Sequence, residues 1–183
     1  RKLTRTDHDA WSFAEITFID GPYLDLNTTA TTLNPNANSG TGVALVASTN
    51  LFAATDVGRL VSLPGGNATI TAFTDAQNVT VTINDTLSAT TATTDWALGA
   101  FSTTTGFPSA VTFFEQRLIF AATTNEPQSV FMSKSGDYEN MTAGTNDDSA
   151  IIYQIASNQV NNIRYLAATR VLTIGTSGGE YVL

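Results

Sequence analysis

The fold turns on two stretches, "SAVTFFEQRLIFAATTNEPQSVFMSKSGDYEN" (residues 109–140) and "NIRYLAATRVLTIGTSGGEYVL" (residues 162–183). In the first, "AVTFF" reads as a strand, Glu115-Gln116 as a tight turn and "RLIFAA" as the next strand. "TTNEP" is a loop, "QSVFMS" a third strand and "KSGDYEN" a further turn. The second stretch repeats this order. "RVLTIGT" aligns with "RLIFAAT", so Arg170 takes the place of Arg117, 53 residues on. "EYVL" then aligns with "SVFM" after a loop two residues shorter. A β-meander recurring at roughly 40–50 residues is the sequence sign of propeller blades. The repeat therefore predicts an all-β fold of propeller-like antiparallel meanders.

The two arginines are expected at equivalent hairpin corners. There the fixed fork of guanidinium donors can hold turn carbonyls. A structural use is expected for Arg117, and Arg117→Ala should then lower stability.

Working outward, residues 43–87 carry a compact run of strand signals. "VALVAS" comes first, and "GRLVSL" runs into the turn Pro64-Gly65-Gly66-Asn67. "ATITAF" alternates apolar and polar residues, and Asp75-Ala76-Gln77-Asn78 is a second turn. "VTVTI" (79–83) alternates strictly, with Val79, Val81 and Ile83 on one face and threonines on the other. This period-two pattern predicts half-buried antiparallel strands in a small barrel or sandwich. Residues 27–42 and 88–94 read as loop or linker. In residues 11–26, Gly21-Pro22 separates two short strand-like pieces. The expected organisation is 1–37 as N-terminal strands and linker, 38–95 as a small inserted β-domain, and 96–183 as a return segment and the repeated meanders.

Composition agrees. Hydrophobic residues make up 42% of the 183, enough for a packed core. Charged residues are 13%, against about 25% in an average domain. Thr, Ser and Asn must therefore supply the polar surface, and Thr suits strands better than helices. A net charge of −8 disfavours nucleic-acid binding by charge. There is no cysteine for a disulfide or thiolate–metal site. No apolar run reaches the length of a membrane span. The chain opens without Met and stops at "GGEYVL" in what reads as mid-strand. An incomplete fragment of a larger protein is therefore expected.

The chemistry-bearing residues have plain structural readings. His8 is the single histidine and sits between Asp7 and Asp9, as in a solvated turn. Asp137/Glu139 and Asp147/Asp148 could serve glycoside hydrolysis or calcium. "TNDDSA" lacks the alternating ligands and glycine of a calcium loop, and "SGDYEN" reads as a capped turn. Gly175, Gly178 and Gly179 precede a strand, not the helix that a phosphate-cradling loop feeds. They are expected in a hairpin turn. The five sequons, at Asn27, Asn67, Asn78, Asn84 and Asn140, are few more than composition gives by chance. Phe107, Phe113, Phe114, Phe120, Phe131, Tyr138, Tyr153, Tyr165 and Tyr181 could line a sugar groove, but their strand positions favour core packing. No catalytic, cofactor-binding or metal residue is assigned, and no enzyme activity is expected.

The run "GFPSAVTFFEQRLIFAATTNEPQSVFMSKSGDYENM", continued by "NDDSAIIYQIASNQVNNIRYLAATRVLTIGTSGGEYVL", resembles the tail tubular, or nozzle, proteins of short-tailed bacteriophages. The resemblance extends to "FIDGPYLDLN" and to "DVGRLVSL", "ITAF" and "DWALGAF". It implies a virion structural protein of the phage tail, a six-fold ring below the portal and adaptor. A β-propeller and a central platform would surround a channel through which DNA is ejected. The implied partners are further copies of the chain, the tail adaptor and tail fibre proteins. DNA would pass without specific binding, and no membrane insertion or cofactor is implied. Residues 43–87 would be an inserted domain on the outside of the ring, a type also likened to a domain of ubiquitin-activating enzymes. Without cysteine it would carry no activating chemistry. A propeller closes with about four blades or more, and this chain holds one and a fraction. The alternative expectation is a tail-spike-like carbohydrate-binding adhesin with Tyr138 or Trp96 in its site. A propeller glycosidase using Asp137 or Asp147 is a third.

Overall fold

The computed structural model describes residues 1–156 and 159–183. It is all-β: the described residues hold antiparallel sheets, one short 3-10 turn and no α-helix. No helix is therefore long and apolar enough to cross a membrane.

The chain opens with a hairpin, β1 (Lys2–Arg5) and β2 (Trp11–Ala14), whose strand residues are all exposed. The second strand-like piece expected in residues 11–26 forms no strand. It runs as a strap, with one bridge from Tyr23 to Gly99. The strap carries Ile16, Phe18 and Leu24 onto the C-terminal half of the chain.

A six-stranded sheet follows. Its strands are β3 (Leu33–Pro35), β4 (Gly40–Ala47), β5 (Leu60–Leu63), β6 (Gly66–Phe73), β7 (Asn78–Ile83) and β8 (Ala97–Leu98), in the spatial order β3-β4-β7-β6-β5-β8. In β7, Val79, Val81 and Ile83 are buried and the alternate threonines half-buried, as the alternation demands. β6 departs from strict alternation because a bulge at Thr71 shifts its register against β7. Leu33 from one edge and Leu98 from the other share a single core with Leu45, Val61, Ile70 and Val81. One sheet can bury both of its edges in one core only by curling, and it forms a half-barrel. A bridge between Leu33 and Thr93 helps to close it. The sheet thus extends beyond 38–95 at both ends, and the segments read as linkers contribute to it. Leu33, the one large apolar residue in 27–42, is fully buried and begins β3.

The C-terminal half holds two meanders. β9 (Ala110–Phe114), β10 (Arg117–Ala121), β11 (Ser129–Met132) and β12 (Ile151–Gln154) lie side by side in chain order. β13 (Ile163–Ala168), β14 (Leu172–Thr176) and β15 (Glu180–Val182) do the same. The aligned repeat pairs in the aligned register: Phe120 opposes Phe131 as Thr173 opposes Val182, and Ala121 opposes Val130 as Ile174 opposes Tyr181. β13 lies against β9. Ile119, Ala121 and Val130 of the first meander share a core with Leu172 and Ile174 of the second. The opposite face of the first meander packs on the strap. Phe120 and Phe131 meet Phe18 and Phe101 there in edge-to-face contacts with centroids 5.1–5.8 Å apart.

Candidate functional site

The most organised polar centre in the C-terminal half is built on Arg117. Glu115 and Gln116 both adopt positive φ (46° and 59°), so β9 and β10 join through a two-residue turn that matches the strand twist. Arg117 therefore stands inside the ladder, opposite Phe114. Its guanidinium is buried and faces backbone oxygens. Nη1 donates to Ser133 O and Ser149 O, both at 2.6 Å, and Nη2 donates to Asp147 O at 2.8 Å. The strand, the turn after β11 and the loop before β12 are thereby held by one side chain. This is the clamp on turn carbonyls that the sequence suggested.

Arg170 departs from that expectation. The second hairpin turns over one residue later and through a longer turn, with Ala168 paired to Leu172, so Arg170 falls inside a three-residue turn and is exposed. It makes no hydrogen bond or ion pair among the described residues. The arginines align in sequence but not in the ladder.

Two further polar clusters tie the half-barrel to the rest of the chain. Asp56 and Arg59 form a buried ion pair at 2.8 Å. Asp56 also accepts from Ala53 N and Thr104 Oγ1, and Arg59 Nε donates to Gly99 O at 2.8 Å. Sequence reasoning passed over this pair. Its signal was an Asp and an Arg three apart around Gly58, just before an apolar strand. The second cluster joins strap and sheet. Tyr23 Oη donates to Asp20, and Asn67 Nδ2 donates to Asp85 Oδ2 at 2.8 Å and Asp20 Oδ1 at 3.3 Å. Burial, then the hydrogen bond to Asp20, pushes the Tyr23 phenol far above its ordinary range. Among the described residues, no buried side-chain nitrogen or oxygen lacks a partner.

The remaining candidates do not converge. His8 is exposed in the β1–β2 turn, with Arg5 donating to its carbonyl and standing 3.1 Å from its Nδ1. Asp137 accepts from Asn140 Nδ2, and Glu139 pairs with Lys2. Asp147 and Asp148 serve Arg117 through their carbonyls, while the Asp148 carboxylate pairs with Lys134 at 3.2 Å. Gly178 and Gly179 lie in the turn before β15, as expected, but Gly175 lies within β14. The Tyr165 ring covers Gly175 so closely that an added Cβ would fall 2.0 Å from a ring carbon. Among the sequons, Asn67 is buried at 2% exposure and bonded on both ends of its amide. Asn27 holds the carbonyls of Thr29, Thr31 and Thr94.

Among the aromatics, Phe120 and Phe131 are buried, whereas Phe107, Phe113, Tyr138, Tyr153 and Tyr165 are exposed. Core packing therefore accounts for only part of the set. Trp96 is buried, with its indole N–H on Thr31 O, so it is not free to bind sugar. The best-formed clefts hold about 140 and 150 Å³. Ligand pockets usually hold roughly 300–1,000 Å³. No three His, Cys, Asp or Glu side chains among the described residues are grouped to hold a metal ion. No protein-family model matches this chain, and no curated protein matches it significantly.

Proposed function

We propose that this chain is a structural piece of a bacteriophage tail nozzle, a virion protein that acts by assembling a conduit for DNA. The observation that carries the reading is the pair of stacked meanders. They repeat one strand pattern, share a core, and set their first strands, β9 and β13, against each other. Neighbouring propeller blades stack in this way around an axis. The sequence resemblance to nozzle proteins supplies the rest: a closed ring, adaptor and fibre partners, and a DNA channel.

Three features favour architecture over chemistry. Arg117, the Asp56–Arg59 pair and the Tyr23 cluster all tie together segments distant in the chain. The two best-formed clefts among the described residues are small. The net charge of −8 suits a wall that DNA passes without sticking. Negative-stain imaging of the protein tests the proposal. Closed rings with an open centre are expected, about six-fold by the resemblance, with no retardation of duplex DNA at physiological salt. Monomers or elongated trimers would overturn it.

One observation favours the adhesin as second reading. Phe113 and Tyr138 form an exposed edge-to-face pair, 5.1 Å between centroids, beside Asp137 and Glu139. A glycan array answered by the protein and lost on Tyr138→Ala would support it, and a blank array removes it.

A further inference from the structure

The hydrophobic interior is divided. Among the described residues, one core draws all of its buried and half-buried members from residues 33–98. The other two clusters draw theirs from residues 16–24 and 100–181, and neither contains a residue of the half-barrel. The half-barrel therefore buries its apolar side chains without help from the meanders.

The chain enters and leaves the half-barrel side by side. Leu24 N donates to Leu98 O and Asn27 N to Trp96 O, both at 2.9 Å, and Ala100 N donates to Pro22 O at 2.8 Å. These bonds make a two-stranded stem around the Tyr23–Gly99 bridge. Beyond the stem, side-chain hydrogen bonds hold the half-barrel in place. Thr104 Oγ1 donates to Asp56 Oδ1 at 2.6 Å and stands 2.8 Å from Thr55 Oγ1. Asn67 Nδ2 reaches Asp20 Oδ1 at 3.3 Å. Thr104 is exposed and the Asn67–Asp20 bond is long, so water replaces both at little cost. Parting these contacts leaves no buried charge alone. Asp56 keeps Arg59 and Ala53 N, and Arg59 keeps Gly99 O, which belongs to the stem. Polar contacts between bodies with separate cores leave those bodies free to move.

We infer that the half-barrel is a hinged body. It swings on the stem without unfolding, and Thr104 and Asp20 form the latch that fixes its pose. The inference stands on the cores and the stem and does not depend on the assembly reading above.

The chain supplies its own probes. Trp96 lies in the half-barrel core, and all five tyrosines, Tyr23, Tyr138, Tyr153, Tyr165 and Tyr181, lie outside residues 33–98. In a Trp11→Phe background, urea unfolding is followed by Trp96 fluorescence and by tyrosine absorbance. Val61→Ala should lower the Trp96 midpoint by about 1 M and leave the tyrosine midpoint in place, and Ile119→Ala should do the reverse. For the pose, Ala44→Cys and Ala168→Cys, both exposed in a chain without other cysteines, carry spin labels whose separation is read by pulsed electron resonance. The parent should give one narrow distance distribution. Thr104→Val with Asp20→Ala should widen it about twofold with the Trp96 midpoint unchanged, and Thr104→Ser should keep it narrow. Trp96 and tyrosine midpoints that fall together in either core variant overturn the separate bodies. A distribution that stays narrow without the latch overturns the hinge, and a parent as broad as the latch variant overturns the latch.

Discussion

The two C-terminal meanders are copies in sequence and in register, yet only one is finished on both faces. In β10 all five residues are buried, because the second meander covers one face and the strap with its phenylalanines the other. In β14 the inward pair Leu172 and Ile174 is fully buried, like Ile119 and Ala121 in β10, but Thr173 and Thr176 stay half-open. What the repeat keeps is the face shared between the meanders. What it varies is the hairpin tip. A two-residue turn places Arg117 in the ladder within reach of four backbone oxygens, and a three-residue turn leaves Arg170 in solvent. Equivalent letters thus acquire different uses through a small change in turn length.

This comparison can be broken or sharpened by substitution. Ile119→Ala and Leu172→Ala remove equivalent inward side chains. Each should cost about 3 kcal/mol by denaturant unfolding, from lost burial and the cavity left behind. A cost confined to one of them would show that the shared core is not shared. Gly175→Ala should cost about 1 kcal/mol, because the Tyr165 ring must leave its seat. That substitution has a second readout. The hydrogen bond to Glu180 raises the Tyr165 phenol pKa. The bond therefore stabilises the fold at pH below the unfolded tyrosine pKa, and this is lost as pH rises through the folded value. Ultraviolet titration of Gly175→Ala should show Tyr165 returning toward ordinary behaviour.

At the other tip, Glu115→Asn with Gln116→Gly should stabilise by about 1 kcal/mol, since Asn-Gly accepts positive φ at both positions. A loss instead would mean that the Glu115 or Gln116 side chain matters to the tip. The smallest effect lies outside the meanders. Hydrogen bonds from the Asn78 side chain, Gln77 N and Asn78 N hold the Asp75 carboxyl below its ordinary pKa. Its help to the β6–β7 turn is present above the unfolded pKa and lost as pH falls through the folded one. An amide chemical-shift titration should show Gln77 and Asn78 moving only at the acid end.

Much of the fold was legible in the letters. The alternation of Val79, Val81 and Ile83 specified a buried face, and the repeat around Arg117 and Arg170 specified a register. Long-range partners were not legible. Leu33 looks like an isolated apolar residue in a linker until β4 and Thr93 reach it. The β12 strand was hidden because none of its residues is buried, so no periodicity marks it. The Asp56–Arg59 pair was hidden because Thr104 and Gly99, its partners, lie 40 residues or more away. Trp96 was readable as an aromatic but not as buried, since burial depends on the half-barrel closing around it.

The central claim is that the organised polar residues of this chain hold its shape. Thermal melting of Arg117→Ala and Arg170→Ala, with ring formation scored on the same samples at low temperature, addresses it most directly. Removing Arg117 leaves the buried Ser133 and Ser149 carbonyls unpaired and frees the loop at Asp147; it should cost about 3 kcal/mol, whereas removing exposed Arg170 should change stability by less than about 0.5 kcal/mol. The account predicts that folded Arg117→Ala still assembles. An Arg117→Ala protein that melts like the parent but no longer assembles would contradict it.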